Sequence, residues 1–387
     1  MINKKLAYLI VVLIFFSSAY VSYSYFSGNK DIKFISPFSG YKTPNGKTAT
    51  AIPEEPKTEE CPLNGEMLGK SLKANWEKRR PMGIMIENHK DARPQSGLSS
   101  ADIIYEAVAE GGITRFMGVF YCKDASIVGP VRSARIYFIR MLQEYGEYPL
   151  YAHVGGANTE GPANALGEIQ KLGWGLYNDL NQFAVPFPYF WRDYERLPNR
   201  ATEHTVYSST TKLWQYAKDK RKLSNVDEDG VKWNKNFVSW KFKDDAKTAD
   251  RGSIGSVTFG FWNSFASDFQ VIWKYNSVNN SYSRSNGGQQ HIDKDTGKPL
   301  ETKNVIVVFA KESPANDGYD GGHILYKLIG SGDGYLFQDG KKEEITWEKE
   351  DAESRIKFYD NNSKEVSMVR GQVFVEILPI GNKVETN

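Results

Sequence analysis

A long apolar run lies at the start of the chain. Residues 6–26 (LAYLIVVLIFFSSAYVSYSYF) contain no charged side chain and follow Lys4 and Lys5. At about 1.5 Å per residue, a helix of this length measures roughly 30 Å, the thickness of the hydrocarbon core of a bilayer. Basic residues before an apolar run favour an N-terminus on the cytoplasmic side. The pattern therefore predicts a membrane-spanning helix whose C-terminal end lies outside the cytoplasm.

This run has two interpretations. We predict that residues 1–27 form an uncleaved single-pass anchor, which places the bulk of the chain outside the cytoplasm at the cell membrane. A cleaved signal peptide is the alternative, since Ser22 and Ser24 are small residues that could precede a cleavage site. Both interpretations export the rest of the chain. Residues 28–60 are polar, lack apolar periodicity and are predicted to be a flexible linker.

Helical and strand periodicities alternate in residues 61–235. Residues 101–112 are ambiguous between the two, whereas 133–146 have helical spacing with Ser133 as a candidate N-cap. Short apolar or β-branched runs and one further helical pattern give the remaining elements, which are strands at 81–88, 114–122 and 148–156 and a helix at 162–172. Alternation of this kind predicts an α/β N-terminal domain.

Residues 236–387 have a different pattern. Short runs of alternating apolar residues, such as SVTFGFW at 256–262, are separated by Gly, Asn and Asp. Asp339-Gly340 separates two of these runs and is a strong hairpin signal. The pattern predicts a mainly-β C-terminal domain.

Composition excludes some functions. The 49 basic residues nearly balance the 47 acidic ones, so no overall field would attract nucleic acid. The five histidines are scattered and neither cysteine belongs to a metal-binding motif, so no metal site and no cofactor is predicted. Cys61 and Cys122 are either a disulfide, as exported proteins can form, or two unlinked buried thiols.

The segment VGPVRSARI (128–136) carries the strongest candidate chemistry. It places Arg132, Ser133 and Arg135 around the predicted start of a helix, and Arg115 lies on the preceding strand. Helix N-termini present unpaired N–H groups and a positive dipole end, so an anionic ligand would be stabilised there by N–H groups and guanidinium groups together. The alternative is that the arginines pair with acids inside the fold.

Two further segments end predicted strands with polar or small residues. Ligands in α/β folds usually bind at the carboxyl ends of strands, and a glycine pair lets the backbone approach a ligand closely. The candidate ligand-binding residues of these segments are Asn88, His89, Arg93 and Gln95, and His153, Gly155 and Gly156. A tight turn is the alternative for the glycine pair.

Two acidic residues are weak candidates for catalysis. Glu106 and Glu110 could serve as acid and base in glycan hydrolysis. Their spacing equally fits solvated charges, and the protein is more consistent with a binding module than with an enzyme.

Several of these motifs resemble those of the YerB-like family of bacterial exported proteins. The resemblance runs through MIENHKDARPQSGL, ADIIYEAVAEGGITRFMGVF, VGPVRSARIYF and YAHVGGA, and then through KNVIVVF, GSGDGYLFQDGKKEEITW and GQVFVEILP. It covers nearly everything after Cys61. It implies an α/β domain followed by a β-rich domain, and no established activity. Many members look like lipoproteins, whereas this chain has no cysteine beside its apolar segment.

These observations lead to one preferred hypothesis and two alternatives. The preferred hypothesis is a membrane-tethered envelope protein that binds an anionic or glycan ligand through an arginine-rich cleft. The first alternative is an envelope-polymer enzyme performing glycan hydrolysis or phosphotransfer. The second is an adaptor that binds a protein partner through aromatic residues of the β-rich domain.

Overall fold

The computed structural model describes residues 55–387. The predicted anchor at 1–27 and almost all of the predicted linker at 28–60 lie outside this range. Between residues 55 and 387, no helix is long and apolar enough to cross a membrane. The described chain is mostly β, with a few short helices.

Helices are short and occur mainly before residue 222. The α-helices are α1 (Lys70–Trp76), α2 (Ile136–Leu142), α3 (Ala165–Lys171), α4 (Thr210–Arg221) and α5 (Ala266–Phe269). Single 3₁₀ turns span Lys90–Ala92, Leu98–Ser100, Thr202–His204, Thr248–Asp250 and Asn263–Phe265.

Strands run through the whole described range. The first nine are β1 (Glu59–Glu60), β2 (Met67–Leu68), β3 (Met82–Glu87), β4 (Ile103–Glu110), β5 (Ile113–Phe120), β6 (Leu150–His153), β7 (Asp179–Asn181), β8 (Phe190–Arg192) and β9 (Val206–Ser208). The next eight are β10 (Lys241–Lys243), β11 (Ser256–Phe259), β12 (Val271–Asn276), β13 (Ser281–Asn286), β14 (Gln289–Gln290), β15 (Ile292–Asp293), β16 (Lys298–Pro299) and β17 (Glu301–Thr302). The last eight are β18 (Asn304–Pro314), β19 (Ile324–Lys327), β20 (Gly330–Gln338), β21 (Lys341–Lys349), β22 (Lys357–Tyr359), β23 (Ser367–Val369), β24 (Val373–Pro379) and β25 (Val384–Thr386).

One mixed sheet contains strands from both halves of the chain. Its order is β22-β21-β20-β18-β24-β4-β5-β3-β6-β7, with β19 attached to β18. The halves join where β24 pairs in parallel with β4, from Val373 opposite Ile103 to Glu376 opposite Glu106. These central strands are buried on both faces, as their nearly continuous apolar runs require. The sheet is therefore completed by a strand from near the C-terminus.

A second, smaller sheet packs beside the junction of the halves. Its order is β14-β13-β12-β11-β25, with β17 on β13, and all its pairs are antiparallel. Trp273 of β12 is fully buried, and its ring meets Phe374 of β24 edge-on with centroids 4.9 Å apart. This contact joins the cores of the two sheets.

The start of α2 differs from the prediction. The helix begins at Ile136 with Arg135 as the N-cap residue, rather than at Ser133. The residues before it are extended because they hydrogen-bond to neighbouring segments. The Arg132 amide donates to the Met85 carbonyl, and the Ala134 amide donates to Gly155. The helical spacing in the sequence therefore begins at Ser133, before the strand-like pairing of the backbone has ended.

Two other elements also differ in extent. The ambiguous segment 101–112 contains β4, which is held between β24 and β5. The helix predicted at 162–172 starts at Ala165, because the side chain of Asn164 caps it by accepting from the Gly167 amide.

Cys61 and Cys122 form a disulfide with Cα atoms 6.0 Å apart. Both residues are fully buried, and the bond links the start of the described chain to the segment after β5. The neighbouring carboxyl of Asp102 accepts the Tyr121 and Cys122 amides. Burial raises the pKa of Asp102 to about 6.

Candidate functional site

Six ionisable residues meet at the carboxyl end of β3. We call Glu87, Glu110, Arg115, Arg132, Arg135 and His204 the charged cluster. Glu87 ends β3 and lies opposite Arg115 of β5. Glu110 ends β4, the two other arginines precede α2, and His204 ends a 3₁₀ turn. The mixed strand directions of the sheet bring these chain segments to one edge.

Glu87 is the centre of one half of this cluster. Its buried carboxylate lies 3.1 Å from Nε of Arg132 and 2.8 Å from Nδ1 of His204. Burial acts to raise the pKa of Glu87, but the hydrogen bond with His204 and the charges of Arg132 and Arg115 together lower it. The same hydrogen bond raises the pKa of His204. Glu87 is therefore a carboxylate held ionised by cationic neighbours.

Glu110 is the centre of the other half. It pairs with Arg135 and lies 3.7 Å from Nη2 of Arg115. Nη1 of Arg115 donates to the Ser133 carbonyl at 3.1 Å, and Nη1 of Arg135 donates to the Ala134 carbonyl at 2.6 Å. Burial, and then the charge of Arg115, lowers the pKa of Arg135. Arg115 and Arg135 are thus held inside the fold.

Arg132 is the most accessible arginine of the cluster. Its side chain is 26% exposed, and its one ion pair within residues 55–387 is with Glu87. Three arginines against two glutamates leave one excess positive charge before His204 is considered. Excess positive charge at a partly exposed guanidinium is an arrangement that can bind an anion.

An exposed aromatic ring lies next to the loop of Arg132. The Arg132 carbonyl accepts from the Val154 amide. The next residue, Gly155, lies against the ring of Phe183, since a Cβ added to Gly155 would be 3.3 Å from that ring. Asn181 fixes this arrangement, since its Oδ1 accepts from the amides of both Gly155 and Phe183. Phe183 is 78% exposed.

The other predicted residues of this edge are placed differently. His153 is fully buried, with Nε2 2.6 Å from Asp179 and Nδ1 2.6 Å from the Gly155 carbonyl. Gly156 packs against Ala134, where an added Cβ would lie 3.1 Å from the Ala134 side chain. His153 and Gly156 therefore support the loop before α2 rather than facing solvent.

A second polar group lies sealed between the two halves of the chain. Fully buried Arg284 pairs with Glu106, and its Nε lies 3.8 Å from Glu376. We call these three residues the buried triad. Nε1 of Trp273 donates to Glu376 at 3.0 Å. Burial, and then the charge of Glu106, raises the pKa of Glu376 well above its usual value. Burial and the neighbouring carboxylate thus favour the protonated form of Glu376 beside the Arg284–Glu106 pair.

Three predicted ligand-binding residues belong to the surroundings of this triad. Nδ2 of Asn88 donates to Glu106 at 3.0 Å, and its Oδ1 accepts from Arg93, Gln95 and Asn286 at 2.9–3.0 Å. Asn88 and Gln95 are fully buried, and Arg93 also donates to the Asp268 carbonyl. The segment that contains Asn88, Arg93 and Gln95 thus forms hydrogen bonds between the N-terminal and C-terminal halves of the described chain.

His291 completes this network. Its Nδ1 lies 2.9 Å from Arg284, and its Nε2 lies 2.8 Å from Oε1 of Gln95. Burial, and then the charge of Arg284, lowers the pKa of His291 well below its usual value. A neutral ring must therefore accept from Arg284 and donate to Gln95.

The two candidate catalytic acids have little access to a substrate. Glu106 is fully buried and is also hydrogen-bonded by Oγ1 of Thr114 at 2.6 Å. Glu110 is held by Arg135 and Arg115. Their positions favour structural ion pairing over general acid–base catalysis.

His89 leaves the buried network and faces His204. Their rings are nearly parallel, with centroids 5.1 Å apart and an interplanar angle of 8°. Asp91 follows on the same 3₁₀ turn, and its carboxylate lies 3.8 Å from Nδ1 of His89 and 3.7 Å from Arg200. Two histidines that are far apart in the sequence are therefore neighbours.

Sequence reasoning assigned no role to Glu87, although it lies at the polar end of a predicted strand, and it did not single out His204, Arg284 or Glu376. Each of these three has a partner far away along the chain, 117 residues from His204 to Glu87, 178 from Arg284 to Glu106 and 103 from Glu376 to Trp273.

Comparison with known proteins agrees with this architecture. Two family models match, the "Protein of unknown function (DUF3048) N-terminal domain" at residues 68–224 and the corresponding C-terminal domain at 262–375. A curated relative, "Putative lipoprotein YerB" of Bacillus subtilis (strain 168), is 30% identical over 331 residues, covering 85% of this chain and 89% of that protein. The crystal structure of YerB from Bacillus subtilis matches with a TM-score of 0.66 and 28% identity, covering 84% of this chain and 99% of that one. The predicted resemblance is confirmed, and the chain belongs to the DUF3048 family.

Proposed function

We propose that the protein is an extracytoplasmic envelope protein, tethered to the cell membrane by residues 1–27, that binds an anionic glycan at the charged cluster. In this proposal residues 28–60 are a linker, 61–235 an α/β domain and 236–387 a β-rich domain. The observation that carries the binding proposal is Arg132, a partly exposed arginine in a cluster with excess positive charge.

The charge of the cluster favours an anion as ligand. Arg115 and Arg135 are fixed by Glu110 and by backbone carbonyls, so they supply positive potential without moving. Arg132 can place its terminal nitrogens towards solvent while Nε stays against Glu87. Preorganised cations reduce the reorganisation that anion binding would otherwise require.

The neighbouring aromatic ring favours a glycan among anions. Phe183 lies beside Gly155, and the neighbouring Val154 amide donates to the backbone carbonyl of Arg132. In this proposal the exposed ring offers an apolar face for a sugar ring, and the guanidinium of Arg132 offers a charge for a phosphate or carboxylate on the same ligand.

Tethering rests on the N-terminal pattern and on the relative. The apolar run after Lys4 and Lys5 has the length of a membrane span. The curated relative is named "Putative lipoprotein YerB", and a covalently attached lipid is another way of holding an exported protein at a membrane. The N-terminal helix takes the place of a lipid in this proposal.

Binding to an anionic polymer tests the proposal. The full-length protein in detergent should bind a glycerol-phosphate oligomer more tightly than an uncharged N-acetylglucosamine oligomer, and binding should weaken as salt rises. Arg132→Ala should weaken binding by roughly tenfold, the loss of one charge-assisted contact.

Arg370→Ala is the matched control. Arg370 is 25% exposed at its side chain and pairs with Glu60 and Asp244, but it lies outside the charged cluster. Equal binding by the wild type and both variants would overturn the proposal.

A further inference from the structure

We propose that His89, Asp91 and His204 form a binding site for a divalent transition-metal ion, for which Zn²⁺ is the best chemical match. This site goes beyond the proposed anion binding. One ligand atom from each of the three residues lies within 4.8 Å of the other two. Two imidazoles and one carboxylate form a known three-ligand zinc set that leaves a fourth position open.

His204 is oriented as a metal ligand would be. Its Nδ1 is 2.8 Å from the buried carboxylate of Glu87, so Nδ1 carries the proton that it donates. This leaves Nε2 as the nitrogen with a free lone pair. A carboxylate that fixes the tautomer and direction of a histidine is the usual outer partner of a zinc ligand.

His89 stacks on His204, with nearly parallel rings whose centroids lie 5.1 Å apart. Its Nδ1 accepts from the Asp91 amide at 3.2 Å, so Nδ1 holds the lone pair of the neutral ring. An ion would bind through Nδ1 in place of this hydrogen bond. The turn Lys90–Ala92 fixes the spacing between His89 and Asp91.

Two of the three side chains have solvent-facing space in which to rotate towards an ion. The side chain of His89 is 28% exposed and that of Asp91 44% exposed, whereas His204 is buried. Arg200 lies 3.7 Å from the Asp91 carboxylate, a contact too long to be a strong ion pair. One fixed ligand and two adjustable ligands can reach the metal–nitrogen distance of about 2.1 Å by side-chain rotation.

The test uses the full-length protein without a tag, treated with a chelator and then dialysed. Zn²⁺ should raise the unfolding temperature, because an ion that binds only the folded state stabilises it. Co²⁺ should bind with 1:1 stoichiometry and give visible absorption bands. His89→Gln and Asp91→Asn should each weaken metal affinity roughly tenfold or more. His204→Gln should abolish binding, but it also removes a partner of buried Glu87, so the two exposed positions carry the test.

The control is His323→Gln. His323 hydrogen-bonds to Asp317 and stacks on Tyr319, so it is a histidine paired with an acid outside the proposed site. It should leave Zn²⁺ affinity and the Co²⁺ spectrum unchanged. Equal affinity in wild type, His89→Gln and Asp91→Asn, or no absorption from added Co²⁺, would overturn the proposal.

Discussion

The buried triad and the charged cluster use the same side-chain types with opposite consequences. In the triad, Arg284 faces Glu106 and Glu376, all three are fully buried, and the raised pKa of Glu376 favours its neutral form. In the charged cluster, positive charge is in excess and Arg132 is partly exposed. The two groups therefore differ in charge balance and in access to solvent, and the proposed binding site is the group with excess positive charge and a partly exposed arginine.

The largest effect should come from removing the cation of the triad. Arg284→Ala leaves Glu106 buried without a counter-ion and should lower the free energy of unfolding by about 3–5 kcal/mol. Denaturant unfolding of the wild type and the variant measures the difference. A loss below about 1 kcal/mol would mean that the triad is no more structural than a surface pair.

Asp102 extends the comparison to a buried acid that has no arginine partner. Its pKa of about 6 means that the native state keeps a proton to a higher pH than the unfolded state, which releases it near pH 4. Stability contributed by this proton is present below pH 4 and is lost as pH rises to about 6, by roughly 2–3 kcal/mol.

Asp102→Asn should remove that loss. An amide oxygen can still accept the Tyr121 and Cys122 amides, and it does not ionise. Urea unfolding at several values of pH between 4 and 7 compares the two proteins. Parallel pH profiles would show that Asp102 does not hold the excess proton.

An intermediate effect is expected within the charged cluster. Arg135→Ala leaves Glu110 with Arg115 as its neighbour, so the cost should be roughly 1–3 kcal/mol, less than for a carboxylate left wholly unpaired. Thermal unfolding measures it, and Arg135→Lys, which keeps the charge, should recover part of the loss. A loss as large as that of Arg284→Ala would remove the distinction between the two groups.

The smallest effect on stability should be at Arg132. Arg132→Ala leaves Glu87 with His204 and should cost less than about 1 kcal/mol, because the arginine is partly exposed. The same variant should weaken anion binding by roughly tenfold. Thermal unfolding and anion binding should be measured on the same preparation, and only the binding affinity should change strongly. Severe destabilisation would instead show that Arg132 is a structural residue of the interior.

Local patterns predicted much of the first half of this structure. Apolar runs gave β3, β5 and β6, and the pair Asp339-Gly340 does separate β20 from β21. Periodicity shows which side chains are buried but not which strands pair, so the parallel contact of β24 with β4 could not be inferred. Asn88 illustrates the same limit at the site, because the Asn286 that encloses it comes from the other half of the chain.

The position of β24 has a consequence for how the polypeptide acquires its structure during synthesis. β24 ends at Pro379, close to the C-terminus at Asn387, yet it lies between β18 and β4. Until it emerges, β4 lacks a neighbour on one side, and Glu106 lacks the segment that carries Glu376. Contacts between residues so distant in sequence form slowly. The polypeptide must therefore be synthesised beyond Pro379 before the sheet closes, and loss of residues 373–387 would leave both sheets incomplete.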